Sequence, residues 1–163
     1  MNSAQEKSAN EIEALVLKAA RGGGLPLGLA EDLAMATAYL DLDRLTGCPC
    51  SSGNAAIALP QALDAVAAGE GPKNVEADSA LIVAYVANAE VHSGKTLVWE
   101  ATSNGAIFHR FEDRATDEHT PLGRRTVPQA LLTHLHDLAV KTHVPETESS
   151  RAGGAGAGLT DND

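Results

Sequence analysis

The hydrophobic pattern of the chain changes from a helical to an extended period at the segment GEGPKN, residues 69–74. Before this segment, apolar residues recur at the spacing of one face of an α-helix. After it, they form short runs separated by turn residues, which is typical of β-strands. A run of helices followed by a run of strands predicts an α+β domain, with helices packed on an antiparallel sheet.

The first two helices are marked by the residues at their ends. Ser8 and Glu11 form a capping-box pattern in front of an apolar run, so a helix is predicted over residues 9–21. The three glycines at 22–24 end this helix, because glycine adopts the left-handed C-cap conformation without a steric penalty. Pro26 then begins a second helix, which the short loop places beside the first.

Two further helices are predicted to begin at prolines. Pro60 opens a short third helix, and Pro128 opens a last helix that carries leucines on one face. Pro145 is expected to end that last helix, because proline lacks the backbone N–H that a helix needs. Residues 41–53, which contain the sequence GCPCSSG, are predicted to be a loop.

Three strands are predicted between the third helix and the last. Residues 80–91, ALIVAYVANAEV, are apolar on both faces, as a central strand should be. TLVWEA at 96–101 and AIFHRF at 106–111 are separated by Asn104-Gly105, a strong hairpin signal. Tight turns would join the three strands into an antiparallel meander.

The chain is predicted to form a single α+β domain, with about four helices packed on a small antiparallel β-meander. Its 163 residues suffice for one hydrophobic core, and aliphatic side chains must build it because aromatic residues are only 3% of the chain. Residues 1–8 are expected to be disordered and residues 9–143 to form the domain. Residues 144–163 form a glycine-rich C-terminal segment.

The charge and the cysteine spacing exclude several classes of protein. A formal net charge of −10 argues against a nucleic-acid partner, since an acidic surface repels phosphate. The N-terminus lacks the apolar core of a secretory signal, and no apolar run reaches the ~20 residues that span a bilayer. Cys48 and Cys50 are too close in sequence to favour a disulfide. A cytoplasmic protein with reduced thiols and no membrane partner is therefore predicted.

Cys48 is the candidate catalytic residue. Its loop is rich in glycine and serine, and a nearby base or helix N-terminus that lowered the thiol pKa would make it a nucleophile. The alternative is a small buried side chain without reactivity, which is how most structural cysteines behave. Cys50 could join it in binding a metal, but one Cys-x-Cys pair without a second pair is a weak zinc pattern.

The histidines show no metal-binding pattern. His134 and His136, two residues apart on the last predicted helix, point to different sides of it. His109 falls between two apolar positions of a strand, where a hydrogen-bonded histidine at the core boundary is expected. The remaining histidines are expected in solvated turns or loops: His92, His119 and His143. The sequence therefore predicts no metal site, and it identifies no cofactor.

Two glycine-rich segments are candidates for ligand binding. RGGG at residues 21–24 stands before a helix, where backbone N–H groups and Arg21 could contact an anion. The alternative is a plain C-cap and turn. RAGGAGAGLTDND at residues 151–163 ends in acids that could pair with arginine or bind a hard cation, and the alternative is a frayed terminus. Neither segment has the phosphate-loop or the dinucleotide-binding pattern.

Two blocks of the sequence carry a family resemblance: NEIEALVLKAARGGGLPLGLAEDLA at residues 10–34 and VPETESSRAGGAGAGLTDND at residues 144–163. Both resemble a bacterial family of unknown function, the domain of unknown function 3726. The family pattern begins with Asn-Glu-Ile and Lys-Ala-Ala-Arg-Gly and closes on a Gly-Ala-Gly-Ala-Gly run followed by Asp-Asn-Asp. A Cys-Pro motif lies between, matched here by Cys48-Pro49, and Cys50 stands where an apolar residue is usual.

The resemblance implies that the glycine-rich C-terminus is a feature of the family. Carried over residue by residue, it marks candidate binding residues in addition to Cys48: Arg21, Gly22, Glu31, Arg151, Gly156, Gly158, Asp161, Asn162 and Asp163. Taken with the conformational freedom of glycine, it favours a docked segment over a frayed end. The C-terminal acids are predicted to meet Arg21, or to line a small pocket with Cys48.

Three functions are consistent with these features. The first is binding of a small polar or anionic molecule, as a binding or accessory protein whose docked C-terminal segment closes the pocket. The second is a hydrolase or transferase that attacks an amide or thioester through Cys48, with a histidine or a C-terminal carboxylate as partner. The third is an interaction subunit, for which an exposed apolar patch is expected.

Overall fold

The computed structural model describes residues 4–50, 54–115 and 118–142. The helices in this part of the chain are α1 (Ala9–Gly22), α2 (Leu27–Ala36), α3 (Ala55–Ala67), α4 (Ser79–Ser93) and α5 (Gln129–Val140). The strands are β1 (Gln5–Lys7), β2 (Lys73–Glu76), β3 (Thr96–Ala101), β4 (Gly105–Glu112) and β5 (Arg125–Val127). Two short 3₁₀ helices, Thr37–Tyr39 and Leu42–Arg44, follow α2. The α+β class is confirmed, with five described helices where about four were predicted.

The strands form two antiparallel sheets. The larger sheet has the order β2-β4-β3, and the smaller one pairs β1 with β5. β3 and β4 form the hairpin predicted at Asn104-Gly105, with Ala101 opposite Ala106. Gly105 permits the close pairing of β4 with β2, because a Cβ atom at this position would lie 1.9 Å from the carbonyl oxygen of Val75.

Both ends of α1 form as predicted. The Ser8 hydroxyl accepts a hydrogen bond from the N–H of Glu11, and the Glu11 carboxylate accepts one from the N–H of Ser8 at 2.8 Å. At the other end, the N–H groups of Gly24 and Leu25 bond back to carbonyls of the last helical turn, which is a Schellman motif. Gly24 has a φ of 97°, a conformation that glycine adopts without a steric penalty.

The prediction of a strand at residues 80–91 is wrong, because this segment forms most of α4. Asp78 caps the start of the helix by accepting a hydrogen bond from the N–H of Ala80, and Gly94 ends it in the left-handed conformation. The helix is buried over most of its surface, so its apolar residues show no single helical stripe. Hydrophobic periodicity alone could not separate such a helix from a buried strand.

Two further predictions about the middle of the chain are corrected. α3 begins at Ala55 and carries Pro60 in its interior, so Pro60 does not open this helix. Because proline has no N–H, the carbonyl of Ala56 loses its usual helical donor. The third strand of the larger sheet is β2, which begins inside the segment predicted as a turn. Since α4 separates β2 from β3 along the chain, the sheet is not a meander.

The smaller sheet uses two segments for which no strand was predicted. Residues 1–8, expected to be disordered, include β1, which pairs with β5. The loop before β5 lies against the first 3₁₀ helix. The N–H of Leu122 bonds to the carbonyl of Ala38 at 2.7 Å, and the Arg125 guanidinium donates to the carbonyl of Thr37. These contacts hold the loop next to the end of α2.

Aliphatic side chains build most of the core, as the scarcity of aromatic residues predicts. Among the described residues, Phe108 on β4 is the largest side chain that is fully buried. α1 packs on both α2 and α5. Its contact with α5 is close because Gly22 has no side chain: a Cβ atom there would lie 1.8 Å from the carbonyl oxygen of Leu138.

In the part of the chain that the structure describes, no helix is both long enough and apolar enough to cross a lipid bilayer. α5 begins after Pro128, as predicted, and ends at Val140. Pro145 lies outside the described residues, and so does the glycine-rich segment at 144–163. Docking of that segment on the domain stays a prediction.

Candidate functional site

Cys48 lies in a cleft of about 450 Å³ between the segment that follows α2 and the first half of α5. The apolar part of its lining comes from Leu42, Leu45, Pro128, Ala130 and Leu131. The polar part comes from Asp43, Thr46, Cys48 and His134. A thiol, an imidazole and a carboxylate therefore line one concave surface together with apolar side chains.

The two cysteines are reduced and share a hydrogen bond. Cys48 is half-buried, whereas Cys50 is fully buried and its Sγ lies 3.8 Å from the carbonyl oxygen of Val16. The hydrogen bond to Cys48, together with burial, raises the pKa of the Cys50 thiol far above its usual range. Cys50 therefore keeps its single proton, for which the Val16 carbonyl and a Cys48 thiolate would compete as acceptors.

Contacts on both sides hold the cysteine loop. Pro49 is buried, and Gly23 approaches so closely that a Cβ atom there would lie 2.5 Å from the carbonyl oxygen of Cys50. Upstream, the N–H and the hydroxyl of Thr46 donate to the Asp78 carboxylate at 2.9 and 2.7 Å. Burial alone would raise the pKa of Asp78, but the hydrogen bonds from Thr46 and from the start of α4 lower it below its usual range. The charged Asp78 therefore ties one rim of the cleft to α4.

The other N-terminal candidates are not among the described residues that line this cleft. Arg21 is exposed in the last turn of α1, and Glu31 is exposed on α2. Gly22 packs against α5, and this contact requires glycine whether or not a ligand binds. The plain C-cap alternative therefore explains Gly24, and packing against α5 explains Gly22. The anion-binding role of Arg21 stays a prediction.

The remaining candidate binding residues lie outside the described residues: Arg151, Gly156, Gly158, Asp161, Asn162 and Asp163. The last described residue is Thr142, one helical turn beyond the Leu138 carbonyl that contacts Gly22. The chain therefore leaves the described structure close to the Arg21 loop.

His134 and His136 line different clefts, as their spacing predicts. His134 shares its cleft with Cys48, which makes it the described histidine best placed to act with the thiol. His109 is partly buried and bonds to Glu100 at 3.3 Å, in agreement with a histidine at the core boundary. Among the described residues, no group of three or more His, Cys, Asp or Glu side chains is arranged to hold a metal ion.

The prediction that His119 is a solvated loop residue is wrong. Its Nε2 lies 2.5 Å from a carboxylate oxygen of Glu90, whose side chain is 8% exposed. The other oxygen of Glu90 accepts a hydrogen bond from the N–H of Leu97 at 2.7 Å. A glutamate inside the apolar segment 80–91 is the one signal in the sequence that could have revealed this buried pair.

A family model described as "Protein of unknown function (DUF3726)" matches residues 7–52. The match confirms the predicted family resemblance and covers less than a third of the chain. It spans α1, α2 and the cysteine loop, where the buried Cys50 packs as an apolar residue would. The C-terminal block at 144–163 lies outside the match. No curated protein and no solved structure matches the chain.

Proposed function

We propose that this chain, whose residues 7–52 match the DUF3726 family, binds a small molecule in the cleft at Cys48. The observation that carries the proposal is the concave surface itself, whose volume of about 450 Å³ falls within the range of ordinary ligand sites. Its leucines would bury the body of a ligand, while Asp43, Thr46 and His134 would orient it by hydrogen bonds.

The lining favours a ligand with an apolar body and a few polar groups. Its described residues include neither lysine nor arginine, so an anionic ligand would need Arg21 or the C-terminal segment to complete the site. We propose that residues 144–163 close the site and that their acids pair with Arg21. The exit of the chain at Thr142, close to the Arg21 loop, supports this arrangement.

A fragment screen followed by amide chemical shifts tests the binding proposal. Ligands are expected to shift the amides of residues 42–48 and of the first half of α5. Ala130→Trp places a large ring in the cleft and should abolish binding. Thr133→Trp, at an exposed position of the same helix that does not line the cleft, should leave binding unchanged. Equal binding to both variants would show that the cleft is not the site.

The contribution of the C-terminal segment is measured in the same titrations with two variants. If residues 144–163 close the site on Arg21, then Arg21→Ala and a truncation after Thr142 should weaken binding by the same factor. Full affinity in both variants would remove the docked segment from the proposal and leave the cleft as an open site.

A specific observation favours a second candidate function, nucleophilic catalysis by Cys48. The Cys50 thiol bonds to Cys48, and His134 lines the same cleft. The Cys48 thiolate would attack the carbonyl carbon of an amide or thioester, and His134 would protonate the leaving nitrogen or sulfur. Water would then release the acyl group from the cysteine. The predicted cytoplasmic location belongs to this proposal, because a reducing compartment preserves such a thiol.

Alkylation by iodoacetamide at pH 7 separates the two candidates. An activated Cys48 is expected to react faster than a model cysteine peptide, and Cys50→Ala should slow the reaction about tenfold, the effect of one pKa unit on the thiolate fraction. Cys48→Ser gives the background from Cys50, which should stay unmodified until unfolding because it is fully buried. If Cys48 reacts no faster than the peptide, binding alone remains as the proposed function.

A further inference from the structure

A second pocket, of about 410 Å³, lies between α4, the strand β3 and the loop that carries His119. Apolar side chains of α4 and β3, Trp99 among them, form part of its wall. The bonded pair of Glu90 and His119 lines the same pocket, and so does Arg114. This pocket shares no lining residue with the cleft at Cys48, so it is a separate site.

Arg114 brings a positive charge to this pocket. Its side chain is exposed, and among the described residues its guanidinium has neither an ion pair nor a hydrogen bond. The guanidinium of Arg110, in contrast, binds the carboxylate of Glu112. The backbone carbonyl of Arg114 accepts a hydrogen bond from the Thr96 hydroxyl at 3.2 Å, which holds this part of the chain beside β3. A guanidinium beside apolar walls favours a ligand that combines an anionic group with a hydrocarbon part.

The imidazole of His119 offers a second donor to such a ligand. Its side chain is 26% exposed, so the contact with Glu90 covers it only in part. The Glu90 carboxylate can only accept hydrogen bonds, so Nε2 of His119 carries the proton that joins the pair. In a protonated imidazole Nδ1 also carries a proton, and it can donate that proton's hydrogen bond to a second carboxylate. Arg114 and His119 therefore give the pocket two donors for an anion.

We propose that this pocket binds a small organic carboxylate, with its anionic group between Arg114 and His119. The hydrocarbon part of the ligand would contact Val83 and Trp99. Val83 is 52% exposed and Trp99 is half-buried, so the ligand would cover apolar surface that water now reaches. The site is independent of the function proposed for the cleft at Cys48, because the two have no residue in common.

Titration of the full chain with sodium hexanoate at pH 6, where an ordinary imidazole is largely protonated, tests the proposal. Trp99 is the only tryptophan of the chain, so its fluorescence reports ligands that reach this pocket. A saturable change is expected, with amide shifts on β3 and a shift of the Nδ1 resonance of His119. Amide shifts confined to residues 42–48 and α5 would place the ligand in the cleft at Cys48 and overturn the proposal.

Two variants of equal charge test the role of Arg114. Arg114→Gln should weaken binding at least about tenfold, because it removes a hydrogen bond between charged groups. The variant should fold, since this guanidinium has no hydrogen bond or ion pair among the described residues. Arg124→Gln, at an exposed position outside the pocket, makes the same change in net charge and should leave the affinity unchanged. An equal loss of affinity in both variants would overturn the proposal.

A second ligand separates recognition of the carboxylate from attraction to the apolar wall. 1-Hexanol has the same hydrocarbon chain without the charge and should bind at least about tenfold more weakly. Equal binding of hexanol and hexanoate would show that the apolar side chains alone hold the ligand. That result would overturn the proposal, and so would the absence of saturation or an unchanged His119 resonance in the hexanoate complex.

Discussion

Replacing Gly22 with alanine is expected to destabilise the protein by about 3 kcal/mol, at the upper end of the usual cost of overpacking. A Cβ atom at this position would lie 1.8 Å from the carbonyl oxygen of Leu138 and 2.7 Å from its carbonyl carbon. Both are backbone atoms, so no change of side-chain rotamer can relieve the overlap. α1 and α5 would have to move apart, and the apolar contacts between them would loosen.

Gly28→Ala is the matched control for this substitution. Gly28 lies in the first turn of α2, and a Cβ atom there would meet nothing within 4 Å. Alanine at such a position should stabilise the protein by about 0.5 kcal/mol, because it lowers the entropy of the unfolded chain. Urea unfolding of both variants therefore tests the direction as well as the size of the effect. If Gly22→Ala were as stable as the wild type, α1 and α5 could not be packed as closely as described.

Gly22 also shows why part of the site could not be predicted from the sequence. The sequence indicates a possible anion-binding loop at the glycines 22–24. Two of them have contacts far along the chain: Gly22 meets Leu138 on α5, and Gly23 meets the carbonyl of Cys50. Only the C-cap role of Gly24 depends on neighbouring residues, and only that role could be predicted.

Elements whose ends are set locally agree with the sequence predictions. The Ser8–Glu11 capping box places the start of α1, and the turn at Asn104-Gly105 places the β3–β4 hairpin. In both cases the deciding contacts join residues a few positions apart, so the sequence displays them directly.

Elements that depend on tertiary contacts are not predictable from the local sequence. α4 is surrounded by other elements, and its burial on nearly every side removes the helical stripe that would identify it. The strands β1, β2 and β5 have three or four residues each, too few to show an alternating pattern. They exist because distant partners supply their hydrogen bonds.

The same distinction applies to the candidate sites. The composition of its loop was enough to single out Cys48, but only the fold shows that His134 shares its cleft. Cys48 lies in a loop before α3 and His134 lies on α5, and no spacing in the sequence connects them. Side chains that meet through packing of separate elements leave no local pattern to recognise.

Breaking the buried pair of Glu90 and His119 is expected to have the second large effect on stability. Glu90→Ala should cost about 2–3 kcal/mol, because it leaves the buried N–H of Leu97 and the part-buried imidazole of His119 without their acceptor. Leu97 is 4% exposed, so water can replace the lost carboxylate only poorly. The variant would release α4 from β3 and from the loop that carries His119.

The chain contains a control pair of the same chemistry at its surface. His109 on β4 bonds to Glu100 on β3 at 3.3 Å, and the side chain of Glu100 is 62% exposed. Solvent screens a pair of this kind, so its coupling should be below about 1 kcal/mol. A double-mutant cycle with alanine at both members of each pair measures the two couplings by urea unfolding, and it cancels the effect of removing each side chain alone.

The coupling of Glu90 with His119 is expected to exceed that of Glu100 with His109 by about 1–2 kcal/mol, because the Glu90 carboxylate is buried and lies closer to its histidine than the exposed Glu100 does. His119 also makes an edge-to-face contact with Tyr39, at 6.3 Å between ring centroids, so His119→Ala alone removes more than the hydrogen bond. The cycle separates these contributions, since the Tyr39 contact is lost whether or not Glu90 is present. Equal couplings in the two pairs would mean that Glu90 stabilises the fold mainly through the N–H of Leu97, and that the loop of His119 is held by Leu122 and Arg125 instead.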